Sequence, residues 1–200
     1  MPSKPMFSDA EKEAIWQKLQ ILCSQHWSEK GFKRTSIKEL CDQAQISIGT
    51  FYALYPSKEH LFCETAISIN RKLKHEFLTT IEGNTTFGGM AFALKQFFRN
   101  ITQIPFLSET NSPDVAAFMR KLSIEQQATL VAEGQAVIRT AIRSCGLVLA
   151  VEESVAFGVL AALQSTVCAK YSIDAGSDYF EVIDFMIDCI VPRIFRNERK

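Results

Sequence analysis

Residues 46–62 read ISIGTFYALYPSKEHLF, and this stretch decides the fold. Ser47 can accept a hydrogen bond from a free backbone N–H, which predicts the start of a short helix over 48–55. Pro56 ends that helix, because the residue before a proline is pushed out of the helical region. Ser57 can cap the next helix in the same way. The stretch therefore predicts a short helix, a break at the proline and a second helix.

Two more helices are predicted upstream. Ser8 with Glu11, and Ser36 with Glu39, have the S-x-x-E form in which a hydroxyl and a carboxylate each bind a free backbone N–H at a helix start. The first pair begins a helix over about 9–30 that ends at a Lys-Gly sequence, and the second begins a helix of about two turns. Two short helices joined by a turn and braced by a longer one are typical of a helix-turn-helix, which places its second helix in the major groove of DNA.

The residues around this pattern closely resemble the N-terminal domain of the TetR family of transcriptional regulators. The resemblance runs from Cys23 to Leu61, and its most specific parts are the G-T-F-Y sequence at 49–52 and the P-S-K-E sequence at 56–59. It also includes Trp27, Gly31, Phe32, Thr35, Ser36, Ile37, Glu39, Leu40, Ala44, Ile46, Ser47 and Tyr55. It covers only this part of the chain directly.

The resemblance implies an organisation for the whole chain. It implies a helix-turn-helix DNA-binding domain over 1–56 and a helical ligand-binding and dimerisation domain over 57–200, in which 57–82 is the linking helix. Breaks at proline and glycine predict further helices near 86–103, 113–121, 124–144, 151–171 and 178–195. No long segment alternates between apolar and polar residues as a strand does, so the predicted fold class is all-α with about nine helices.

The resemblance also implies which residues contact DNA. In the family, the positions that match Tyr52 and Lys58 commonly touch the phosphate backbone; a half-buried aromatic and a solvated lysine are the alternatives. Gly49 would let the recognition helix approach DNA closely, and Ile48 and Ala53 would contact thymine methyl groups. The complete candidate set is Lys33, Arg34, Thr35, Ser36, Ser47, Ile48, Gly49, Thr50, Tyr52, Ala53, Tyr55 and Lys58.

One position departs from the family pattern. Residue 45, which is often Gly where the chain turns between the two short helices, is Gln here. If its φ is positive, a non-glycine residue costs on the order of 1 kcal/mol at this place. The recognition helix also has few side chains able to hydrogen-bond to base edges, so the operator sequence does not follow from it.

Aromatic residues and methionines are frequent in the helices that follow residue 76. The resemblance implies that part of this set lines a cavity for a small apolar or aromatic effector, whereas the alternative is that all of it fills the core. The candidate ligand-binding residues are Phe87, Met90, Phe97, Phe98, Phe118 and Met119.

The last two long helices carry small and apolar residues at helical spacing. The resemblance implies that these helices pair with their symmetry mates in a four-helix dimer interface, and the composition fits that role. A monomer that buries the same faces internally is the alternative. The candidate interface residues are Ala156, Gly158, Ala161, Ala162, Ser165, Phe180, Ile183 and Ile187.

Composition excludes several classes of protein. The 200 residues are 47% hydrophobic and 22% charged with zero net charge, which is typical of a globular domain rather than a disordered chain. No export signal or membrane span is expected, so we expect a cytoplasmic protein. The six cysteines are scattered without a C-x-x-C pair, which favours reduced core thiols, no metal and no cofactor.

These observations predict a homodimeric regulator of transcription, in the repressor mode, that binds a pseudopalindromic DNA operator and is released by a small-molecule effector. An all-α binding protein without specific DNA binding is the alternative, and a small helical enzyme is a more distant one. The common nucleotide-binding, zinc-protease and hydrolase motifs are absent from the sequence, and we therefore expect no enzymatic activity. His60 and Glu64 lie four residues apart, a spacing more typical of an ion pair than of an acid–base dyad.

Overall fold

The computed structural model describes residues 8–144, 146–168 and 178–196, without the side chain of Ser144. The fold is all-α, as predicted, with ten helices and one short antiparallel ladder in the described residues. The helices are α1 Asp9–Arg34, α2 Ile37–Ala44, α3 Ile48–Leu54, α4 Lys58–Ile81, α5 Phe87–Thr102, α6 Pro105–Ser108, α7 Pro113–Met119, α8 Ile124–Ser144, α9 Glu153–Cys168 and α10 Tyr179–Ile194. The ladder pairs β1 Val148–Leu149 with β2 Phe195–Arg196.

Local sequence signals set most of the helix starts. Both S-x-x-E pairs form complete capping boxes, at Ser8 with Glu11 and at Ser36 with Glu39. The Ser57 hydroxyl accepts a hydrogen bond from the His60 N–H, in the first turn of α4, at 3.2 Å, as predicted. The additional helix, α6, is a single turn in a segment that the sequence predicted only as a proline break.

The end of α1 differs from its predicted position, and the predicted end of α9 lies outside the described residues. The first helix continues to Arg34, but Gly31 has φ 82° and ψ 170°, so the helix is interrupted where the sequence predicted its end. The predicted helix over 151–171 begins at Glu153 and is described as far as Cys168. Its predicted last residues, 169–171, lie outside the described residues, as does Cys145.

The chain divides into two compact units. The first unit is Met1–Ser68 with Asn111–Leu130, and the second is Ile69–Thr110 with Val131–Lys200. The first therefore joins the three N-terminal helices to a segment more than forty residues further along the chain. The functional boundary at residue 56, which came from the resemblance, stays a prediction.

Aromatic packing holds the first unit together. The Trp27 ring centroid lies 4.7 Å from that of Phe62 and 4.9 Å from that of Phe118. The Phe32 ring joins the same group, edge-on to Phe62 at 5.1 Å and tilted against Phe118 at 5.4 Å. Since Phe118 belongs to α7, this helix is part of the core of the first unit.

The second unit is built around α5, which packs against α9 and α10. Its core includes Met90, Phe97 and Phe98 from α5 together with Leu160 and Ile187 from the two later helices. Two ion pairs of 2.7 Å, Lys95–Asp188 and Arg99–Asp184, flank the α5–α10 contact. Within the described residues, no helix combines the length and the apolar composition needed to span a bilayer.

Candidate DNA-binding surface

A three-residue turn joins α2 to α3. Gln45 ends α2 in the left-handed conformation, with φ 59° and ψ 43°, and its N–H donates to the Asp42 carbonyl at 3.2 Å. The N–H of Ile46 donates to the Cys41 carbonyl at 3.0 Å. Ser47 then caps α3 by accepting the Thr50 N–H at 3.0 Å. The positive φ considered for Gln45 from the sequence is therefore present.

The helix α3 has a buried side and an outer side. Phe51 is fully buried, and its ring contacts that of Tyr55, whose side chain is only 1% exposed. The outer side is formed by Ser47, Ile48, Gly49, Tyr52 and Ala53, all of which are exposed. We call these five residues the outer face of α3. It contains no charged side chain.

Not every predicted hydroxyl lies on this face. Thr50 is buried, and its Oγ1 lies 2.9 Å from Ser47 Oγ, so the two hydroxyls hydrogen-bond to each other. The Tyr55 hydroxyl is in the interior, where burial raises the pKa of the phenol. The structure thus places Ser47 and Tyr52 at the surface but keeps Thr50 and Tyr55 inside.

The segment between α1 and α2 carries the predicted basic contacts. Lys33, Arg34 and Ser36 are exposed. Thr35 is instead buried, and its hydroxyl donates to the Gly31 carbonyl at 2.8 Å.

A charge cluster surrounds the start of α2. The Lys30 ammonium lies 2.7 Å from a Glu39 carboxylate oxygen, which also accepts the Ser36 backbone N–H at 3.2 Å. The hydrogen bond from Lys30, followed by those from Ser36, lowers the pKa of Glu39 to about 2. The carboxylate therefore stays ionised at neutral pH and fixes the start of the helix.

Lys58 has partners within the protein. Its ammonium donates to the Phe32 carbonyl at 2.8 Å and to the Thr35 carbonyl at 3.0 Å. It also lies 4.2 Å from the centroid of the Phe32 ring. Desolvation lowers the pKa of this lysine. The resemblance implied a phosphate contact for Lys58, and the structure shows that its ammonium already binds two backbone carbonyls.

The predicted effector-binding residues fall into two groups. Phe87, Met90, Phe97 and Phe98 lie in or against the core of the second unit. Phe118 and Met119 belong to α7 in the first unit. The second unit has an open cavity of about 450 Å³ that none of these six residues lines. Its walls are His75, Leu78, Thr79, Ile81, Glu82, Gly83 and Thr85.

The predicted dimer residues are also divided between surface and interior. Ala156, Ile183 and Ile187 are buried within the subunit. Ala161 and Phe180 are half-buried, whereas Gly158, Ala162 and Ser165 are exposed. The sequence prediction missed Val155 and Phe185, two large apolar side chains on the same helices that are 50% and 69% exposed. Helical periodicity alone did not tell which of two apolar faces is covered internally.

Three of the described cysteines are buried, and His60 has a carboxylate partner. Cys23, Cys41 and Cys63 are buried, and desolvation raises the pKa of the Cys23 thiol to about 12. Glu64 accepts hydrogen bonds from the His60 ring at 3.1 Å and the Trp16 indole at 3.3 Å, so it has a structural role. Among the described residues, no group of three or more His, Cys, Asp or Glu side chains could hold a metal ion.

Sequence reasoning missed one residue that contacts this region. Asp114, in the first turn of α7, accepts hydrogen bonds from the backbone N–H groups of Phe32 and Lys33 at 2.6 and 3.0 Å. An acidic residue at a helix start is an ordinary local signal. Nothing in the sequence indicates a partner eighty positions away.

Comparison with known proteins agrees with this architecture. Residues 25–65 match the sequence profile of the family described as bacterial regulatory proteins, tetR family. No curated protein sequence matches the chain.

Several solved structures share the fold. A TetR-family transcriptional regulator from Pectobacterium atrosepticum is 17% identical and covers 96% of this chain and 100% of its own, with a TM-score of 0.66. The transcriptional regulator FadR from Bacillus subtilis, in complex with stearoyl-CoA, is 13% identical over 90% of this chain and 99% of its own, with a TM-score of 0.65. A TetR transcriptional regulator from Legionella pneumophila is 15% identical over 94% and 99%, with a TM-score of 0.64. The resemblance predicted from the sequence is confirmed: the chain carries the N-terminal domain of the tetR family of bacterial regulatory proteins and has the fold of TetR-family transcriptional regulators.

Proposed function

We propose that the protein is a cytoplasmic, homodimeric repressor of transcription that binds a pseudopalindromic DNA operator and is released from it by a small apolar or aromatic effector. The observation that carries this proposal is the outer face of α3. A short helix that follows a tight turn and exposes one complete side has the geometry of a recognition helix. In a dimer, two such helices would enter successive major grooves about 34–36 Å apart.

The proposed DNA contacts follow from exposure. Lys33, Arg34 and Ser36 bind phosphates, which sets affinity and salt dependence but carries no sequence information. Tyr52 and Ser47 offer hydroxyls to phosphates or base edges. Ile48 and Ala53 contact thymine methyl groups.

We leave Thr35, Thr50 and Tyr55 out of the contact set because their side chains are buried. Lys58 acts through the carbonyl oxygens it already binds.

Gly49 gives a direct test of close approach by DNA. A Cβ at this position would meet only Ser47 Oγ, at 3.6 Å, so Gly49→Ala creates no clash within the protein. Alanine in a helix is also more favourable than glycine, by about 1 kcal/mol. We expect this variant to be at least as stable as the parent and yet to bind DNA more weakly.

A matched control is available in α8. A Cβ at Gly134 meets nothing within 4 Å, so Gly134→Ala makes the same chemical change away from the proposed interface. We expect it to leave DNA affinity unchanged. The proposed docking of α3 is refuted if Gly49→Ala binds the selected duplex as tightly as Gly134→Ala does.

The assay is a fluorescence titration of duplex DNA selected from a random-sequence pool, performed at two salt concentrations. A regulator binds the selected duplex tightly, with an affinity that falls steeply as salt rises. Tyr52→Ala and Lys33→Ala should each weaken binding to every duplex, and Lys33→Ala should also flatten the salt dependence.

The same titration distinguishes the proposed regulator from a second candidate function. Ser47 and Tyr52 are the polar side chains on the outer face of α3, which favours weak sequence discrimination. If all duplexes bind at a similar low affinity while a small molecule binds tightly, the protein is an all-α ligand-binding protein without specific DNA recognition.

The proposed dimer uses the exposed sides of α9 and α10. Phe185 is the most exposed aromatic side chain among the described residues, and it lies on one of the two helices that the resemblance assigns to the dimer interface. Gly158 and Ala162 are small and exposed, so a helix of the partner can approach closely. The buried candidates Ala156, Ile183 and Ile187 support the two helices from within the subunit.

The proposed effector site lies in the second unit. Phe87, Met90, Phe97 and Phe98 stay as candidates there, and the stearoyl-CoA complex of the Bacillus subtilis regulator supports an effector with apolar parts. Phe118 and Met119 are left out because they belong to the first unit. An effector could instead bind in the 450 Å³ cavity, which none of these four residues lines but to which α4 contributes. At either place it would release DNA by binding better to the state with low DNA affinity. A coupling of about 1–3 kcal/mol is typical of such regulation.

A further inference from the structure

We infer that Asp114 is a positioning residue for DNA binding, which fixes the segment between α1 and α2 so that Lys33, Arg34 and Ser36 face the phosphate backbone. This inference rests on the proposed function. It assigns a role to a side chain that lies about eighty residues after Phe32 and Lys33 in sequence and belongs to the same compact unit.

The need for such a residue begins with Gly31. Its φ of 82° and ψ of 170° interrupt α1, and the three residues that follow it form a new helical turn. The first N–H groups of a helical turn have no carbonyl partner within the helix. The interruption therefore creates unpaired backbone donors at Phe32 and Lys33, beside the basic side chains that we propose to contact DNA.

Asp114 satisfies both donors. One carboxylate oxygen accepts the Phe32 N–H at 2.6 Å, and the other accepts the Lys33 N–H at 3.0 Å. Hydrogen bonds to an ionised acceptor are roughly twice as strong as those between neutral groups. Since each oxygen binds a different peptide group, the carboxylate fixes both the position and the orientation of this turn.

The Asp114 carboxylate occupies the space that a side chain at residue 31 would take. A Cβ on residue 31 would lie 2.9 Å from the Asp114 carboxylate carbon and from both of its oxygens. The absence of a side chain at the interruption is thus what allows the carboxylate to reach the two N–H groups.

Lys58 holds the same turn through its carbonyl groups. Its ammonium binds the carbonyl oxygens of Phe32 and Thr35, at 2.8 and 3.0 Å. The turn is therefore clamped through its donors by Asp114 and through its acceptors by Lys58. The side chains of Lys33 and Arg34 remain exposed because the clamp uses backbone groups only.

The elements that carry Asp114 are themselves well supported. Ser112 caps α7 by accepting the Val115 N–H at 3.2 Å. Phe118, one turn further along, is buried against Trp27 and Phe32. The carboxylate is therefore delivered from a fixed helix rather than from a loop.

The test compares Asp114→Ala with Ser112→Ala. Both changes remove a contact at the start of α7, but Ser112→Ala leaves the carboxylate and its two hydrogen bonds in place. For each variant we would measure the affinity for the selected duplex at two salt concentrations, below the temperature at which circular dichroism detects unfolding. We expect Asp114→Ala to bind about tenfold more weakly, which corresponds to about 1.4 kcal/mol, and Ser112→Ala to bind as the parent does.

A double-mutant cycle distinguishes positioning from general destabilisation. If Asp114 positions Lys33, then Lys33→Ala costs less affinity in the Asp114→Ala background than in the parent. The salt dependence of Asp114→Ala should also be flatter than that of the parent, because fewer phosphates are contacted. Asp114→Asn, which keeps one acceptor oxygen, should recover part of the lost affinity. Additive losses, with a parental salt dependence, would overturn the inference.

Hydrogen exchange gives a readout that does not depend on DNA. The amides of Phe32 and Lys33 should exchange slowly in the parent and in Ser112→Ala, and faster in Asp114→Ala. Unchanged exchange in Asp114→Ala would refute the clamp. If the parent binds no duplex specifically, the proposed function fails and the positioning role fails with it. If the parent binds and Asp114→Ala binds equally well, only the positioning role fails.

Discussion

Replacing Gln45 with glycine should make the first unit more stable. Gln45 ends α2 with φ 59° and ψ 43°, and its N–H already bonds to carbonyl oxygens of α2. A residue with a Cβ pays about 1–2 kcal/mol in this conformation. Glycine removes that strain but adds about 0.5–1 kcal/mol of backbone entropy to the unfolded chain. The expected net gain for Gln45→Gly is about 0.5–1 kcal/mol.

Urea denaturation followed by tryptophan fluorescence measures this gain, because Trp16 and Trp27 both lie in the first unit. With a slope of about 2 kcal/mol per molar urea, the midpoint should rise by about 0.3–0.5 M. Gln45→Ala is the matched control, since it removes the same side chain but keeps the Cβ. If Gln45→Gly is no more stable than Gln45→Ala, left-handed strain at this turn is not the cause, and the reasoning is refuted.

Three further predictions concern other parts of the chain. Glu39→Gln should lower the free energy of unfolding at neutral pH. It should also reduce the loss of stability as pH falls from 4.5 to about 2, because the parental carboxylate becomes protonated in that window. Urea midpoints measured against pH, with Glu29→Gln as the control, test this prediction. Phe118→Ala should destabilise the first unit by about 3–5 kcal/mol, and parental stability in tryptophan-monitored denaturation would contradict the assigned aromatic core. Phe185→Asp should give folded monomers in analytical ultracentrifugation. Ile124→Asp, a control at an even more exposed position, should stay dimeric. If Phe185→Asp is dimeric, α10 is not part of the interface.

Local chemistry made the helices predictable from the sequence. The Ser8 and Ser36 capping boxes depend on residues three positions apart, and both form as expected. The caps at Ser47 and Ser57 are equally local. Each of these signals is complete within one turn of the chain, so no knowledge of tertiary packing was needed to recognise it.

The candidate site was only partly predictable, because exposure depends on packing between distant segments. The pattern around the recognition helix identified Ile48 and Tyr52, which are exposed, but it could not separate them from Thr50 or Tyr55, which are buried. The six aromatic and methionine candidates for the effector site looked like one set in sequence. The structure divides them because α7, with Phe118 and Met119, packs in the first unit.

Contacts of long sequence separation had no local signal at all. Asp114 binds the N–H groups of Phe32 and Lys33, and Lys58 binds carbonyl groups of the same turn. In sequence, the aspartate is an ordinary helix-start residue and the lysine is an unfavourable one. Their joint role depends on the tertiary fold, which brings α1, α4 and α7 together around one turn.

The uncharged outer face of α3 has a consequence for epigenetic control. Ile48 and Ala53 are its apolar members, and in the proposed complex they recognise the C5-methyl group of thymine. The base 5-methylcytosine carries the same substituent at the same ring position, so a methyl-sensing surface treats it as a near equivalent of thymine. On this mode of binding, a DNA methyltransferase that modifies cytosines in the operator would change repressor occupancy without any change in the protein or its effector.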